Sequence, residues 1–273
     1  METLLFNGCQ TGNLLEVKTA IANGCNPNIR NEEGWMPIHY AAENGFEDIL
    51  NYLLDSGADV NALNSAGFTS FQILMICEHY SPLIVSRLIQ AGAQVGSPLH
   101  KAILLNDTPE INRLLSQQQF ITSNDGIGNT PLHISVAVNN VTLIIPLLEA
   151  GADIDAQDMY ETTPLHEACS MGQIYTVGLL LNHGANPEVA DYNGRTALTF
   201  AVGNARHEVT ELLLKSGVSL NVQDHFGNTA LHYAYENEEF ELAKLLIGRG
   251  ADQSLANEDG MTPVQMTPEY GES

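Results

Sequence analysis

The chain has 273 residues, 10 Lys and Arg against 33 Asp and Glu, and a formal net charge of −23. An acid load spread along the whole chain repels nucleic-acid backbones and anionic membranes and attracts basic protein segments. Apolar residues at 44% supply a core and exclude a disordered chain. The four cysteines (Cys9, Cys25, Cys77 and Cys169) lie far apart with no CxxC pair, which argues against a disulfide framework or zinc ribbon and fits a reducing compartment. No basic segment precedes an apolar run at the N-terminus, and the longest apolar stretches are interrupted by Pro82 or Pro146. The expected setting is the cytoplasm or nucleus, away from membranes.

Taken in chain order, related four-residue words recur. They are MPIH at Met36, TSFQ at Thr69, SPLH at Ser97, TPLH at Thr130 and Thr163, TALT at Thr196, TALH at Thr229 and TPVQ at Thr262. All intervals are 33 residues except the 28 between Thr69 and Ser97. A step of 33 back from Met36 reaches Thr3, where TLLF opens a divergent first unit. A second, Gly-led word keeps phase, 21 residues after a start, at Gly24, Gly57, Gly151, Gly184, Gly217 and Gly250. Two words locked in one period identify a repeat architecture.

The period and the words resemble the ankyrin repeat family over essentially the whole chain. The resemblance implies an all-α repeat solenoid of eight to nine units. Each unit has two antiparallel helices and a projecting β-turn finger. Local chemistry agrees. In TPLHEACSMGQIYTVGLLLNHGA, Thr163 can cap a helix whose first residue is Pro164, Gly172 breaks that helix, and Gly184 ends the next in a left-handed conformation. ADYNG and QDHFG are turn sequences. One unit cannot bury its apolar face alone, so stacking is the source of stability.

This frame settles the cluster ETTPLHEACSMG, which crowds His166, Glu167 and Cys169 together. His166 occupies the slot of His39, His100, His133 and His232, one per repeat. A ladder does not converge on a metal, so the expected role is hydrogen bonding to backbone of the neighbouring turn. Cys169 sits in a slot expected to hold small buried residues such as Ala42, with Tyr235 the exception, and reads as a buried thiol. No GxxxxGK[ST], HExxH or GxSxG is present. The reading is a non-enzyme with no cofactor and no metal.

Three irregularities stand out. Gly92 lies 23 rather than 21 residues after Thr69, with the extra residues around EHYSP, and Ser97 follows Gly92 by only five positions. One finger is therefore missing. Gln118 then replaces a cap glycine, at a cost of about 1 kcal/mol for a left-handed residue. A notch or change of curvature is expected near residues 92–126. Pro146 falls inside a second helix, where a kink or an early helix start is expected. The expected organisation is one solenoid over 1–273. Its parts are an N-terminal capping repeat (1–35), repeats before the short finger (36–95), repeats after it (96–261), and a partial C-terminal cap and tail with Pro268 and Gly271 (262–273). Such a chain reads as complete or nearly so.

In the family that the sequence resembles, finger residues and the end of the first helix line a concave groove. By that register the partner-binding candidates on fingers are Glu32, Glu33, Trp35, Phe68, Met159, Tyr160, Tyr192, Arg195, His225 and Phe226. Those on the first helices are Tyr40, Glu43, Glu167, Met171, Tyr233 and Glu236. Aromatic residues recur along one edge (Trp35, Phe68, Tyr160, Tyr192, Phe226), set among acids. Asp158, Asp191 and Asp224 are expected to cap their own turns. An acidic groove with aromatic anchors suits a Lys/Arg-rich or amphipathic segment of another protein, through steering and cation–π contacts. The expected function is a monomeric protein-binding scaffold or adaptor. The alternatives are an acidic mimic that inhibits a DNA-binding protein or enzyme, and a secreted bacterial effector acting as a host-protein adaptor. Asn61, in LLDSGADVN, resembles the asparagines hydroxylated in this family.

Overall fold

The structure, a computed structural model, describes residues 1–77 and 81–267. Glu78, His79 and Tyr80, in the stretch that carries the extra residues, and the tail with Pro268 and Gly271 lie outside the described residues. The described residues form sixteen α-helices, α1 (Glu2–Thr11) to α16 (Phe240–Gly248), and a 3-10 turn over Pro263–Met266. They alternate between a first helix, usually seven residues as in α3 (Pro37–Glu43) and α11 (Pro164–Ser170), and a second helix of nine or ten.

The first helices begin as the repeated word dictates. Pro37, Pro98, Pro131 and Pro164 take the first helical position, where a missing N–H costs nothing. The residue before accepts and donates at once. Thr163 Oγ1 takes the His166 N–H, and the Thr163 N–H donates to His166 Nδ1 at 3.1 Å. His39, His100, His133 and His232 repeat that bond at 3.0–3.2 Å, and Gln72 and Gln265 supply Oε1 in its place. The repeated His is thus the far half of a capping box.

Second helices end as at Gly184, whose φ of 93° lets the Gly184 and Ala185 N–H groups reach back to the Leu181 and Leu180 carbonyls. Gln118 adopts the same left-handed conformation without being glycine, at φ 49°. Pro146 is the sixth residue of α10 (Val141–Glu149). The helix starts no earlier than its counterpart α12 (Ile174–Asn182), one 33-residue step on, and is continuous through the proline. The early start expected from the sequence is not found, because so short a helix forfeits only the one bond from position 146 to the Thr142 carbonyl.

The chain divides into two compact units, residues 1–114 and 115–273. In the first, α3 packs on α1 and on α5 (Ser70–Ile76), while α4 (Glu47–Asp55) packs on α2 (Leu14–Ala22) and α6 (Pro82–Gln90). Residues 91–97 alone join α6 to α7 (Pro98–Leu104), where residues 56–69 join α4 to α5, so the missing finger is real. In the second unit α9 (Pro131–Ala137), α11, α13 (Ala197–Gly203) and α15 (Ala230–Glu236) stack in one row. α10, α12 and α14 (His207–Ser216) stack behind them. Each unit is a run of helix pairs burying a Leu-, Ile- and Ala-rich seam, for example Ile38, Leu50, Leu53 and Leu74 in the first and Leu165, Leu180, Leu198 and Leu213 in the second. Among the described residues no helix is long and apolar enough to cross a membrane.

Candidate protein-binding face

Every finger is built on one side chain. Asp158 Oδ1 accepts the N–H groups of Tyr160 and Thr162, both at 2.8 Å. Asp191 and Asp224 do the same for residues two and four further on, as do Asn31, Asn64, Asp125 and Asn257. The expected turn-capping role of the three aspartates holds. Burial pushes the Asp158 carboxyl above the usual carboxylate range against the pull of those N–H donors, and the Asp125 and Asp191 charges add to it.

In the second unit the fingers are also tied to one another. The N–H of Met159 donates to the Ile127 carbonyl, Tyr192 to Tyr160, His225 to Asn193 and Glu258 to Phe226, at 2.8–2.9 Å. Side chains at these tips stand on a hydrogen-bonded ribbon. Four of them are apolar and exposed: Tyr192 (66%), Phe226 (56%), Met159 (50%) and Tyr160 (40%). His225 beside them is exposed, as are Glu161, Glu236, Glu258 and Asp259. Arg195 is committed to Asp191, by bonds of 2.7 and 3.0 Å, and its guanidinium lies 4.7 Å from the Phe200 ring centre. The tips therefore combine unpacked rings with uncompensated acid.

The other candidates have more internal work. Trp35 is half-buried against Tyr40, 5.0 Å between ring centres, and edge-on to His39. Tyr40 itself is buried, and its hydroxyl accepts from Asn31 Nδ2 at 2.9 Å and lies 3.4 Å from Glu33. Tyr233 repeats this lock, donating to Asp224 at 2.6 Å, and its phenol is pushed up by burial and that carboxylate. Met171 ends α11 and accepts from Gln173 through sulfur. Phe68, Glu43 and Glu167 are half-buried, and Glu32 and Glu33 are exposed. The second unit thus gathers Met159, Tyr160, Tyr192, His225 and Phe226 on adjoining tips, while Glu32, Glu33, Trp35, Tyr40, Glu43 and Phe68 belong to the first unit.

The histidine ladder is structural. The Nε2 of His39, His133 and His232 lies 2.9–3.2 Å from the carbonyls of Ala62, Thr162 and Met261, in the finger segment that follows each helix pair. Among the described residues no three His, Cys, Asp or Glu side chains converge on a metal-sized site. Cys169 is fully buried and burial raises its thiol pKa. Its slot is not reserved for small residues, since Ile103, Val136 and Val202 fill it and are also buried. Asn61 holds Gly92 O and Gln94 N–H across to the next repeat, at 2.9 and 2.8 Å. Asn28, Asp155, Glu188 and Asn221 likewise accept an N–H of the following repeat. Sequence reasoning passed over this set, although a polar residue 25 positions after each start was there to be found.

A family model described as ankyrin repeats matches residues 1–64, 73–158, 143–224 and 208–271. Among relatives, the human protein phosphatase 1 regulatory subunit 27 is 42% identical over 63 residues, 23% of this chain and 41% of that protein. The tyrosine-protein kinase HTK16 of Hydra vulgaris is 29% identical over 126 residues, 42% of this chain and 17% of the kinase. The mouse RelA-associated inhibitor is 32% identical over 92 residues, 34% of this chain and 11% of that protein. The chain thus spans about two fifths of the phosphatase subunit and a smaller share of the other two. Ankyrin repeats in general bind other proteins and are interaction scaffolds rather than enzymes. With two words in one 33-residue period, capped helix pairs and a family model matched over most of its length, this chain belongs to the ankyrin repeat family.

Proposed function

We propose that the protein is an adaptor, cytoplasmic or nuclear, that holds a Lys/Arg-rich or amphipathic segment of another protein on its finger tips. The observation that carries this reading is the run of exposed Met159, Tyr160, Tyr192 and Phe226 on fingers fixed by backbone bonds. A rigid backbone removes the ordering cost of binding, and exposed rings become anchors once desolvated. The acid around them steers a basic partner, and Tyr192 and Phe226 offer faces to its cations. In the first unit Trp35, with Glu32 and Glu33 beside it, is a second anchor point.

The test compares proteins retained from a cell lysate by the wild type, by the Tyr192→Ala, Phe226→Ala double variant and by Trp35→Ala, at low and moderate salt. Partners with basic segments that are lost with the rings support the reading. Partners indifferent to the rings remove it. Two relatives are named a regulatory subunit and an inhibitor, which favours as second reading an acidic inhibitor of an enzyme or DNA-binding protein. That reading depends on charge, so it predicts retention that survives ring removal and collapses with salt.

A further inference from the structure

Two second helices of the second unit, α10 and α12, are nearly without charge. α12, IYTVGLLLN, has no Asp, Glu, Lys or Arg, and α10, VTLIIPLLE, has only Glu149, at its end. Their counterparts α4, α14 and α16 each carry at least two charged residues and α6 carries one, Arg87. Two consecutive second helices with a single charge, Glu149, between them leave an apolar face on a chain of net charge −23. A groove of about 680 Å³ lies along it, lined by Val141, Ile174, Tyr175, Gly178, Leu179 and Leu212 among others.

Two residues of α12 give the groove its relief. Tyr175 is 81% exposed, the most exposed large hydrophobic side chain among the described residues. Three positions on, and so on the same side of the helix, Gly178 has no side chain, and a Cβ there would meet nothing nearer than Leu212 Cδ2 at 3.9 Å. A knob stands beside a hole. That arrangement complements itself under a two-fold axis, each Tyr175 entering the other copy's gap at Gly178.

Charge selects the occupant. The exposed charges on α10 and at the start and along α14 are Glu149, Glu208 and Glu211 against Arg206 and Lys215, a mixed and nearly balanced rim. A strongly basic segment gains little here compared with the acidic finger tips. A second copy meets its like at a face where the acid is nearly balanced, with Lys215 already paired to Glu211 and Arg206 bonded to the Ser170 carbonyl. We infer that the chain forms a symmetric dimer through the α10–α12 face, with Tyr175 and Gly178 at its centre. Apolar contact drives this association, and the net charge of both copies opposes it at long range. The dimer is therefore strengthened by salt, the reverse of capture of a basic segment on the fingers.

The experiment is sedimentation equilibrium of the full chain across the micromolar range, at low and physiological ionic strength. It compares the wild type with Tyr175→Glu, which removes the knob, and Gly178→Leu, which fills the hole. The expected result is a wild-type dimer that tightens with salt and weakens by about tenfold or more in each variant. Melting of the monomer, measured at concentrations below the dimer's dissociation constant, should be unchanged for Tyr175→Glu, whose ring is exposed, and unchanged or raised for Gly178→Leu. A wild type that stays monomeric throughout overturns the proposal and leaves the face to a different partner. A dimer that ignores both substitutions, or that loosens with salt, overturns it as well. The finger-tip variants Tyr192→Ala and Phe226→Ala leave this dimer intact, so failure here and failure of the adaptor reading are separately visible.

Discussion

The hydroxyl of Tyr233, on α15, donates to Oδ2 of Asp224 at 2.6 Å, while Oδ1 of the same carboxylate holds the turn of its finger. One side chain thus joins a finger to the helix that follows it. Asp224 is buried, so losing the phenol leaves a carboxylate oxygen without its donor. Tyr233→Phe is expected to lower stability by about 1.5 kcal/mol, read as a fall in the urea midpoint. Retention of partners by the exposed rings should be nearly unchanged. A loss of binding without a loss of stability would make Tyr233 a contact residue instead.

Acid should weaken the fold through His166. Its Nδ1 accepts the Thr163 N–H, while its buried Nε2 closes no hydrogen bond, although the Val189 and Arg195 backbone and the Asp191 and Arg195 charges lie near. Burial lowers its pKa from 6.5 to about 4. Between those values the unfolded chain takes a proton that the folded chain refuses. The contribution of His166 is therefore complete above pH 6.5 and is lost as pH falls through that window. The full loss is about 3 kcal/mol. Gln serves the same cap at Gln72, so His166→Gln should keep the helix start and flatten the fall in stability between pH 6.5 and 4. An unchanged pH profile in that variant would show that other groups carry the acid sensitivity.

Several residues with a Cβ take a left-handed conformation where other units use glycine, Gln118 and Glu161 among them. Gln118 has φ 49°, in the helix-ending slot of Gly184, and Glu161 has φ 59° at a finger position that is glycine in six other fingers, Gly194 and Gly227 among them. A left-handed conformation costs a residue with a Cβ about 1–2 kcal/mol, part of which glycine returns through a more disordered unfolded chain. Gln118→Gly and Glu161→Gly are each expected to raise stability by about 0.5–1 kcal/mol in urea unfolding. A fall in either variant would mean that the side chain makes a contact worth more than the strain.

The repeat period made most of the fold legible, because a helix start needs local chemistry that the sequence spells out: a capping hydroxyl, a proline, and a His or Gln three residues on. The same register made the finger aspartates readable. What it hid are contacts a full repeat away. The tie from Tyr192 to Tyr160 and the reach of Asn61 to Gly92 and Gln94 join backbone groups that carry no residue-type signal. Tyr40 and Tyr233 looked like surface contacts, and only their partners Asn31 and Asp224 reveal them as internal locks. The nearly uncharged α10–α12 face was written in the sequence. It is meaningful only against charged neighbours laid beside it in register.

The cysteines give a test of packing that is independent of any partner. Cys9 and Cys169 are buried to 0% exposure, and burial pushes the Cys9 thiol up to about 12 and raises Cys169 as well. Cys25 and Cys77 are half-buried, and the Cys77 thiol is raised by burial and by the Glu43 charge. Reaction with a maleimide requires both access and thiolate. Peptide mapping of the native protein at pH 7 should therefore find label on Cys25 first, on Cys77 more slowly, and on Cys9 and Cys169 only after denaturant is added. Each buried site then reports its own unit, Cys9 the first and Cys169 the second. If the two become reactive at different urea concentrations, the units unfold separately, and a single unfolding energy does not describe the chain. Native labelling of Cys169 would contradict the packing of α11 between α9 and α13.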